Sequence, residues 1–376
     1  MLTSEFDYYL PKELIAQEPS EKRDESRLLI LNRQTGEISE AIFHEIINYL
    51  SPNDILVLND TRVIPARIFG TIDTNRRVEL LLLREIEPGL WETLSRPARK
   101  VKPGVKIRFN KYQVQSKSHC EERSDEAISK PLSGLPRSLR SLAMTSELYA
   151  EVIERKESGI RIVKFSPNKV RELLTEYGEI ALPPYIRKKC KDINRYQTIY
   201  GFKEGAIAAP TAGLHFTEEL LKNIRAKGIE TVFLTLHSGL GTFRPVKVET
   251  VEEHKMYPEE FEISEEITQK INQAKSEKRR VIAIGTTVVR ALENQAQLGK
   301  NGRNVKPGMG LTDLYIYPPY DFKIVDGLIT NFHLPKSTLL MLVCAFANKE
   351  QIFRAYDYAI AHQYRFYSFG DAMLII

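Results

Sequence analysis

The stretch GAIAAPTAGLHFT, residues 205–217, predicts how the larger part of the chain folds. It begins as a run of small apolar residues, breaks at Pro210, turns through Gly213 and presents His215 just before a helix. Thr217, followed by two glutamates, marks the start of that helix, because a hydroxyl group caps the first turn and acidic side chains stabilise it. Open α/β sheets bind ligands where strands end in such loops. The stretch therefore predicts an α/β domain with a ligand site at this loop.

Three later stretches repeat this plan and end in polar tips: TLHSGLGTFRP (235–245), IGTTVVR (284–290) and TNFHLPKST (330–338). ILVLNDTR (55–62) reads as a buried strand with a polar end and is a fifth candidate. Strands that alternate with helices of about ten residues or more predict a mainly parallel sheet covered on both faces by helices. Since the carboxyl ends of parallel strands lie at one edge, we expect these loops to form one site.

Residues 63–165 have a different pattern, with short β-rich runs at close spacing and Pro-Gly turns between them. This pattern is typical of a small antiparallel barrel or sandwich rather than of βα units. The α/β pattern continues on both sides of it. We therefore predict a β-domain inserted into an α/β domain that consists of residues 1–62 and 166–376.

The inserted domain contains a serine-rich segment, residues 116–146, where a hairpin turn is expected. Segments of this length without regular structure are usually functional or disordered. His119 and Cys120 are metal-binding residue types, but nothing nearby completes the ligand spacing of a zinc site. We interpret the segment as a tolerated surface loop.

The composition is that of a soluble globular protein: 376 residues, 42% hydrophobic, 27% charged, with a net charge of +5. The positive excess permits a nucleic-acid partner without requiring one. Three distant cysteines offer neither a disulfide framework nor a zinc cluster. No apolar run is long enough to span a bilayer and the N-terminus lacks a secretion signal, so we expect a cytoplasmic protein. The common nucleotide, zinc and serine-hydrolase motifs are absent from the sequence, which favours a specialised enzyme.

Four of the seven histidines lie at or near predicted loop tips: His215, His237, His254 and His333. Imidazole is the side chain best suited to moving protons near neutral pH. One histidine in such a place is more often a structural hydrogen-bonding residue than a catalyst. Four at one predicted edge favour catalysis by at least one of them.

Basic side chains are concentrated in two stretches, SRPARKVKPGVKIR (95–108) and IRKKCKDINR (186–195). A solvated face explains such clusters equally well. The functional alternative is contact with the phosphates of a polynucleotide, which positions the partner without reading its sequence. The candidates for such contacts are Arg96, Arg99, Lys100, Lys102, Arg187 and Lys188.

Six long and unusual stretches occur in one order along the chain: LVLNDTRVIPARIFG (56–70), RYQTIYGFKEGAIAAPTAGLHFT (195–217), TLHSGLGTFRPV (235–246), VIAIGTTVVRALE (281–293), GLITNFHLPKSTLLMLV (327–343) and YRFYSFGDAML (364–374). Together they closely resemble the S-adenosylmethionine:tRNA ribosyltransferase-isomerase family of the queuosine pathway. The resemblance covers nearly the whole chain except residues 116–146. Two positions depart from the family pattern: Tyr257 stands where a second histidine is usual, and Ser238 where valine is usual.

The resemblance implies an α/β domain with an inserted β-barrel, and a reaction without a metal or separate cofactor. S-adenosylmethionine is consumed as the donor. Its ribosyl part is transferred to the aminomethyl group of 7-aminomethyl-7-deazaguanine at the tRNA wobble position and isomerised to an epoxycyclopentane. The product is epoxyqueuosine, and adenine and methionine leave. The basic stretches would bind the anticodon stem-loop, and we expect a monomer with no membrane partner.

Within that reaction the loop histidines are the natural proton-transferring groups, first His215 and His333, then His237 and His254. An aromatic face such as that of Phe332 would stabilise the sulfonium. The residues expected to line the donor pocket are Asp60, Arg62, Thr211, Gly213, Phe216, Thr286, Thr287, Arg290, Asn331 and Lys336.

Two other functions stay open at this point. One is an S-adenosylmethionine-dependent transferase or hydrolase that acts on a small molecule, and the basic stretches argue weakly against it. The other is a non-catalytic RNA-binding protein, which leaves the histidine-bearing loops unexplained.

Overall fold

The computed structural model of the chain describes residues 1–73, 75–109, 148–156, 159–188, 190, 192–239, 246–299 and 302–376. The segment 116–146 lies outside these residues, and so does the interpretation of it as a surface loop. Two compact units make up the chain: Met1–Val63 with Leu182–Ile376, and Ile64–Ala181. Within the described residues no helix is both long enough and apolar enough to cross a bilayer.

Strands and α-helices of the described residues are numbered here in chain order. The strands are β1 (Arg27–Leu31), β2 (Ile38–Ile42), β3 (Ile55–Asn59), β4 (Thr61–Val63), β5 (Arg67–Thr71), β6 (Arg77–Glu87), β7 (Leu90–Arg96), β8 (Lys106–Phe109), β9 (Leu148–Arg155), β10 (Arg161–Ser166), β11 (Gly178–Glu179), β12 (Lys203–Ala206), β13 (Glu230–Leu236), β14 (Glu259–Ile263), β15 (Val281–Ile284), β16 (Ala296–Gly299), β17 (Gly302–Val305), β18 (Gly308–Thr312), β19 (Gly327–Asn331) and β20 (Ala372–Ile375). The α-helices are α1 (Val170–Tyr177), α2 (Glu218–Ala226), α3 (Glu265–Ser276), α4 (Thr286–Asn294), α5 (Thr338–Ala347) and α6 (Lys349–Ala361).

The first unit is built on a nine-stranded sheet in the order β18-β14-β13-β3-β15-β19-β20-β1-β2. Its centre is parallel, with β13, β3, β15 and β19 side by side. β20 is parallel to β1, which makes four parallel neighbours. The other four pairs, β18–β14, β14–β13, β19–β20 and β1–β2, are antiparallel. The prediction of a mainly parallel sheet is therefore not confirmed: the β1–β2 hairpin, the returning C-terminal strand β20 and the antiparallel pairing of β14 with β13 and β18 make the sheet mixed.

Alternate residues of the central strand β3 pack into different cores. Ile55 and Val57 belong to the core that includes side chains of α3, α4, α5 and α6. Leu56 and Leu58 belong to the core that includes side chains of α2. A strand that is buried on both faces needs apolar residues at every position, which explains the unbroken run ILVL.

The second unit contains a closed antiparallel barrel of six strands in the order β5-β6-β7-β10-β9-β8. Thr71 of β5 pairs with Arg108 of β8 and closes the ring. Along β9 the buried residues alternate with exposed ones, as expected when one face of a strand points into a barrel. The predicted antiparallel barrel is confirmed.

The barrel unit extends to Ala181, beyond the predicted boundary at residue 165, and so includes α1 and β11. The reason is that β11 pairs with β5. At this junction Gly178 packs so closely that a Cβ atom on it would lie 2.0 Å from the carbonyl oxygen of Pro65. Pairing between residues so distant in sequence leaves no local signal of the boundary.

A buried arginine fixes the basic stretch 95–108 of the barrel. Arg161 is 2% exposed, and its guanidinium donates to the backbone carbonyls of Val101, Gly159 and Ala98. The bond from Nε to the Val101 oxygen measures 2.9 Å. Two of the three carbonyls belong to the basic stretch, so its backbone conformation depends on this side chain.

We predict that Arg161→Met lowers the free energy of unfolding by about 2–4 kcal/mol, because hydrogen bonds from a charged group contribute about 1.5–3 kcal/mol each and buried carbonyls would lose their donors. Arg155→Met is the matched control, since Arg155 pairs with Arg161 across β9 and β10 but is exposed. It should change stability by less than about 0.5 kcal/mol. Urea unfolding of both variants measures the difference. Equal destabilisation by the two substitutions would contradict the anchoring role.

Candidate active site

The carboxyl ends of the parallel strands open into a cleft. The loops after β12, β13, β15 and β19 line it, together with the turn before β20. Five residues predicted for the site face this cleft: Thr211, Thr286, Thr287, Asn331 and His333. Parts of three predicted stretches, 205–217, 284–290 and 330–338, thus meet at one place. Of the stretch 235–245, Ser238 lines the cleft, and residues 240–245 lie outside the described part of the chain.

His215 is buried beside the cleft, with both ring nitrogens in hydrogen bonds. Asn331 Nδ2 donates to His215 Nε2 over 3.0 Å, and His215 Nδ1 lies 2.6 Å from Ser26 Oγ. The same Nδ2 donates to the backbone carbonyl of Asp371, which can only accept, so the amide orientation is fixed. His215 therefore carries its proton on Nδ1 and donates it to Ser26. Phe43 stacks on the ring, with 4.9 Å between the ring centroids.

His333 lines the cleft and is held in one orientation. Its Nε2 lies 2.9 Å from the hydroxyl of Thr330, and its backbone N–H donates to the Tyr356 hydroxyl over 2.9 Å. The hydroxyl of Tyr8 donates to its backbone carbonyl. No described residue contacts Nδ1 by a hydrogen bond. Among the four candidate histidines, His333 is the one that lines the cleft formed by the described residues.

Burial keeps both of these imidazoles uncharged. Desolvation lowers the pKa of His215 to about 3, and the positive charge of Arg365 contributes in the same direction. Desolvation also lowers the pKa of His333 to about 3. At neutral pH each ring is in the form that can accept a proton.

The other two candidate histidines do not line the cleft. His237 Nδ1 lies 2.6 Å from the Thr61 hydroxyl, and its ring packs on Gly205, where a Cβ atom would come within 2.8 Å of it. His254 is half-buried with its ring edge against Tyr315, at 5.3 Å between centroids. Burial lowers the pKa of His254.

Asp60 and Arg62 follow β3 but lie outside the cleft. Asp60 is 4% exposed and accepts a 2.7 Å hydrogen bond from the Thr235 hydroxyl, while desolvation raises its pKa. Arg62 donates to the carbonyl of Gly201 over 3.3 Å. The neighbouring Asn59 instead contacts a residue that lines the cleft: its Nδ2 donates a hydrogen bond of 3.3 Å to Oγ1 of Thr287.

Arg290 and Phe216 are buried in the structure rather than exposed to a ligand. Arg290 forms an ion pair with Glu259, both side chains being 4% exposed, and donates to the Leu314 carbonyl over 3.0 Å. Phe216 is 0% exposed and meets Phe43 edge to face. A guanidinium with these partners and a ring in the core do not reach the cleft.

Gly213 and Lys336 also lie away from the cleft. Gly213 packs against the hydroxyl of Tyr200, which would lie 2.1 Å from an added Cβ atom. Lys336 forms an ion pair with Asp7 at 2.6 Å. Both positions were predicted because they lie in the long motifs that resemble the family, but each residue contacts another residue of the protein instead of the cleft.

The six basic candidates are all exposed. Four of them project from the barrel unit and two from the first unit. They are Arg96, Arg99, Lys100 and Lys102 in the former, and Arg187 and Lys188 in the latter. Lys188 lies 3.5 Å from Glu18. The basic stretch 95–108 is exposed and its backbone is fixed by Arg161, so its basic side chains are accessible for binding to a polyanion.

Ser26 and Asp371 are among the residues at the cleft that had no predicted role. Ser26, at 2% exposure, accepts a hydrogen bond from His215, and the Asp371 carboxylate accepts hydrogen bonds from the backbone N–H groups of Arg27 and Arg365 at 3.1 and 2.8 Å. The stretch YRFYSFGDAML contained a signal for Asp371, whereas Ser26 had none. Within the described ranges no group of three His, Cys, Asp or Glu residues is arranged to hold a metal ion.

A family model described as "Queuosine biosynthesis protein" matches residues 3–375 of the chain. Proteins named S-adenosylmethionine:tRNA ribosyltransferase-isomerase from Halothermothrix orenii and Caldanaerobacter subterraneus are 49% and 50% identical to it, and each alignment covers 100% of both chains. The crystal structure of S-adenosylmethionine tRNA ribosyltransferase from Thermotoga maritima is 37% identical, with a TM-score of 0.51. That alignment covers 99% of this chain and 100% of the other.

We predict that stability falls as the pH is lowered from 7 to 5. The pKa of His215 is about 3 in the folded state against an ordinary 6.5, so the unfolded chain takes up its proton first in this window. Each such histidine lowers the free energy of unfolding by about 1.4 kcal/mol for every pH unit below its pKa in the unfolded chain. His215→Gln should therefore lose about 2 kcal/mol less than wild type between pH 7 and pH 5.

Urea unfolding at the two pH values measures this difference. His362→Gln is the control, because His362 is exposed on the end of α6. An unchanged pH dependence in His215→Gln would contradict a neutral buried His215.

Proposed function

The chain belongs to the queuosine biosynthesis family, and on that premise we propose that it is an S-adenosylmethionine:tRNA ribosyltransferase-isomerase. It transfers the ribosyl moiety of S-adenosylmethionine to 7-aminomethyl-7-deazaguanine at the tRNA wobble position and isomerises it to an epoxycyclopentane. Adenine and methionine leave, and the product is epoxyqueuosine in tRNA. The full-length similarity to relatives of that name carries the proposal. The donor is consumed, so the reaction needs no separate cofactor.

In this proposal His333 is the residue that accepts a proton from the donor. The sulfonium acidifies the adjacent ribose carbon, and removal of a proton there requires a base in the correct protonation state. His333 is uncharged, lines the cleft and has Nδ1 free of partners in the described part of the chain. Because the pKa of His333 is low, the ring does not retain an accepted proton. The Thr330 hydroxyl, which is hydrogen-bonded to Nε2, is a neighbouring group that can take the proton from the ring.

His215 acts as a positioning residue rather than as the base. Its Nε2 accepts from Asn331, whose Oδ1 in turn accepts a 2.8 Å hydrogen bond from the Thr211 hydroxyl. Thr211 therefore presents its remaining lone pairs to the cleft in a fixed direction. An oxygen held in this way is suited to accept a hydrogen bond from a substrate hydroxyl or amino group.

The acceptor in this proposal is the anticodon stem-loop of tRNA. Exposed arginines and lysines of the stretch 95–108 contact its phosphates, with Arg187 and Lys188 as further contacts. We also propose that the protein acts as a monomer. The proposed tRNA acceptor supports a location in the cytoplasm.

The test is incubation with ribose-labelled S-adenosylmethionine and tRNA that carries 7-aminomethyl-7-deazaguanine, followed by nucleoside analysis. Labelled epoxyqueuosine, with adenine and methionine formed only when tRNA is present, is the expected result. Transfer of a methyl group, or adenine release without tRNA, would instead indicate a small-molecule enzyme. RNA binding without donor binding would indicate a non-catalytic protein.

We predict that His333→Ala lowers kcat at least about 100-fold, in the range typical of a lost general base, while the donor still binds. His215→Ala should lower kcat less and raise KM, because it frees Asn331 without removing the base. His362→Ala, on the exposed end of α6, is the control and should retain activity. Single-turnover rates and donor titrations separate these outcomes. Near wild-type turnover in His333→Ala would refute the assignment.

We further predict that Arg99→Gln combined with Lys100→Gln weakens tRNA binding and reduces the slope of log affinity against log salt by about 1–2, since each lost phosphate contact removes close to one released counterion. Donor affinity should not change. Lys270→Gln on helix α3, where the lysine pairs with Glu266, is the control. Salt-dependent filter binding gives the slopes, and identical slopes for the two variants would rule out phosphate contact by this stretch.

A further inference from the structure

The amino end of helix α4 faces the cleft without a side-chain cap. Its N-cap residue is Gly285, which has φ +91° and no side chain to accept from the first turn. The backbone N–H groups of Thr286 and Thr287 make no hydrogen bond to any described residue. In contrast, α5, whose first turn also borders the cleft, is capped by the hydroxyl of Ser337.

The hydroxyl of Thr286 is an independent sign that something binds here. Thr286 is 6% exposed and lines the cleft, yet its Oγ1 has no hydrogen-bond partner in the described part of the chain. Thr287, at 8% exposure, accepts at Oγ1 from Asn59, so its own hydroxyl proton is available to a ligand. The first turn of α4 thus offers two amide and two hydroxyl donors to the cleft.

This arrangement suits a small anion. A helix N-terminus carries a positive partial charge of about half a unit, and free N–H groups there bind carboxylates and phosphates. Within the described residues no Lys, Arg, Asp or Glu lines the cleft, so α4 is a principal source of positive potential in it. The apolar residues Ala212, Phe332 and Leu339 border the same cleft and would accommodate methylene groups.

We propose that the first turn of α4 binds the carboxylate of the methionine half of S-adenosylmethionine, with Thr286 as a specificity-determining contact. The inference rests on the proposed function, because it requires this donor. A carboxylate at the end of a short aliphatic chain reaches a residue that is only 6% exposed. A phosphate within a polynucleotide is flanked by two nucleosides, which so buried a site would have to admit as well.

The experiment compares S-adenosylmethionine with its decarboxylated analogue by calorimetric titration of the full-length protein. Wild type should bind the decarboxylated analogue more weakly. Thr286→Val, which removes the hydroxyl but keeps the shape, should weaken S-adenosylmethionine binding about tenfold, the usual effect of a hydrogen bond to a charged group. It should leave binding of the analogue unchanged. Thr286→Ser should keep the wild-type affinities.

Thr338→Val is the matched control. Thr338 is the first residue of α5, is 4% exposed and has an unpartnered hydroxyl, but it does not line the cleft. Its substitution should leave the affinities for both ligands as they are in wild type.

Three results would overturn the inference. If Thr286→Val weakened the binding of both ligands equally, Thr286 would not contact the carboxylate. Weaker tRNA binding with unchanged donor binding would assign the site to a nucleic-acid phosphate. Failure of the wild-type protein to bind either donor ligand would overturn the proposed function, and the inference with it.

Discussion

The side-chain amide of Asn331 joins three separate segments of the chain at the rim of the sheet. Its oxygen accepts from Thr211, and its nitrogen donates to His215 and to the Asp371 carbonyl. An amide can satisfy these partners in one orientation only, because Thr211 here donates and the carbonyl accepts. Asn331 is 3% exposed, so an unsatisfied group in this network would cost about 1–3 kcal/mol. The loops of the cleft are thereby held in one arrangement before any ligand arrives.

Burial of this network explains the state of its histidines. A charged imidazole would lose most of its hydration here, and desolvation is the largest cause of the low pKa of both His215 and His333. The rings form hydrogen bonds to neutral partners such as Ser26 and Thr330, which do not stabilise a charge on them.

Local sequence patterns predict the parallel centre of the sheet and the loops that leave it. The run ILVL, buried on both faces, and the turns that end in Thr286 and Asn331 follow from periodicity and from the geometry of parallel strands. The antiparallel barrel follows in the same way from its close strand spacing. The positions of Arg290 and Phe216 are harder to predict, because a residue in a distinctive motif gives the same local signal whether it faces a ligand or packs in the core. Only the partner, Glu259 or Phe43, decides between the two, and it is distant in sequence.

The mixed sheet accounts for two residues at the cleft that had no predicted role. Parallel strands bring their carboxyl ends to the rim, and Asn331 ends β19 there. β20 runs opposite to β19, with Ala372 beside Asn331, so the residues that precede β20 reach the same rim. β1 is parallel to β20, with Leu28 beside Ala372, and therefore also presents its amino end, where Ser26 lies. Reversal of two strands thus adds Ser26 and Asp371 to an edge that a fully parallel sheet would build from carboxyl ends alone. The antiparallel pairs, which the sequence does not foretell, complete the hydrogen bonds of His215 and Asn331.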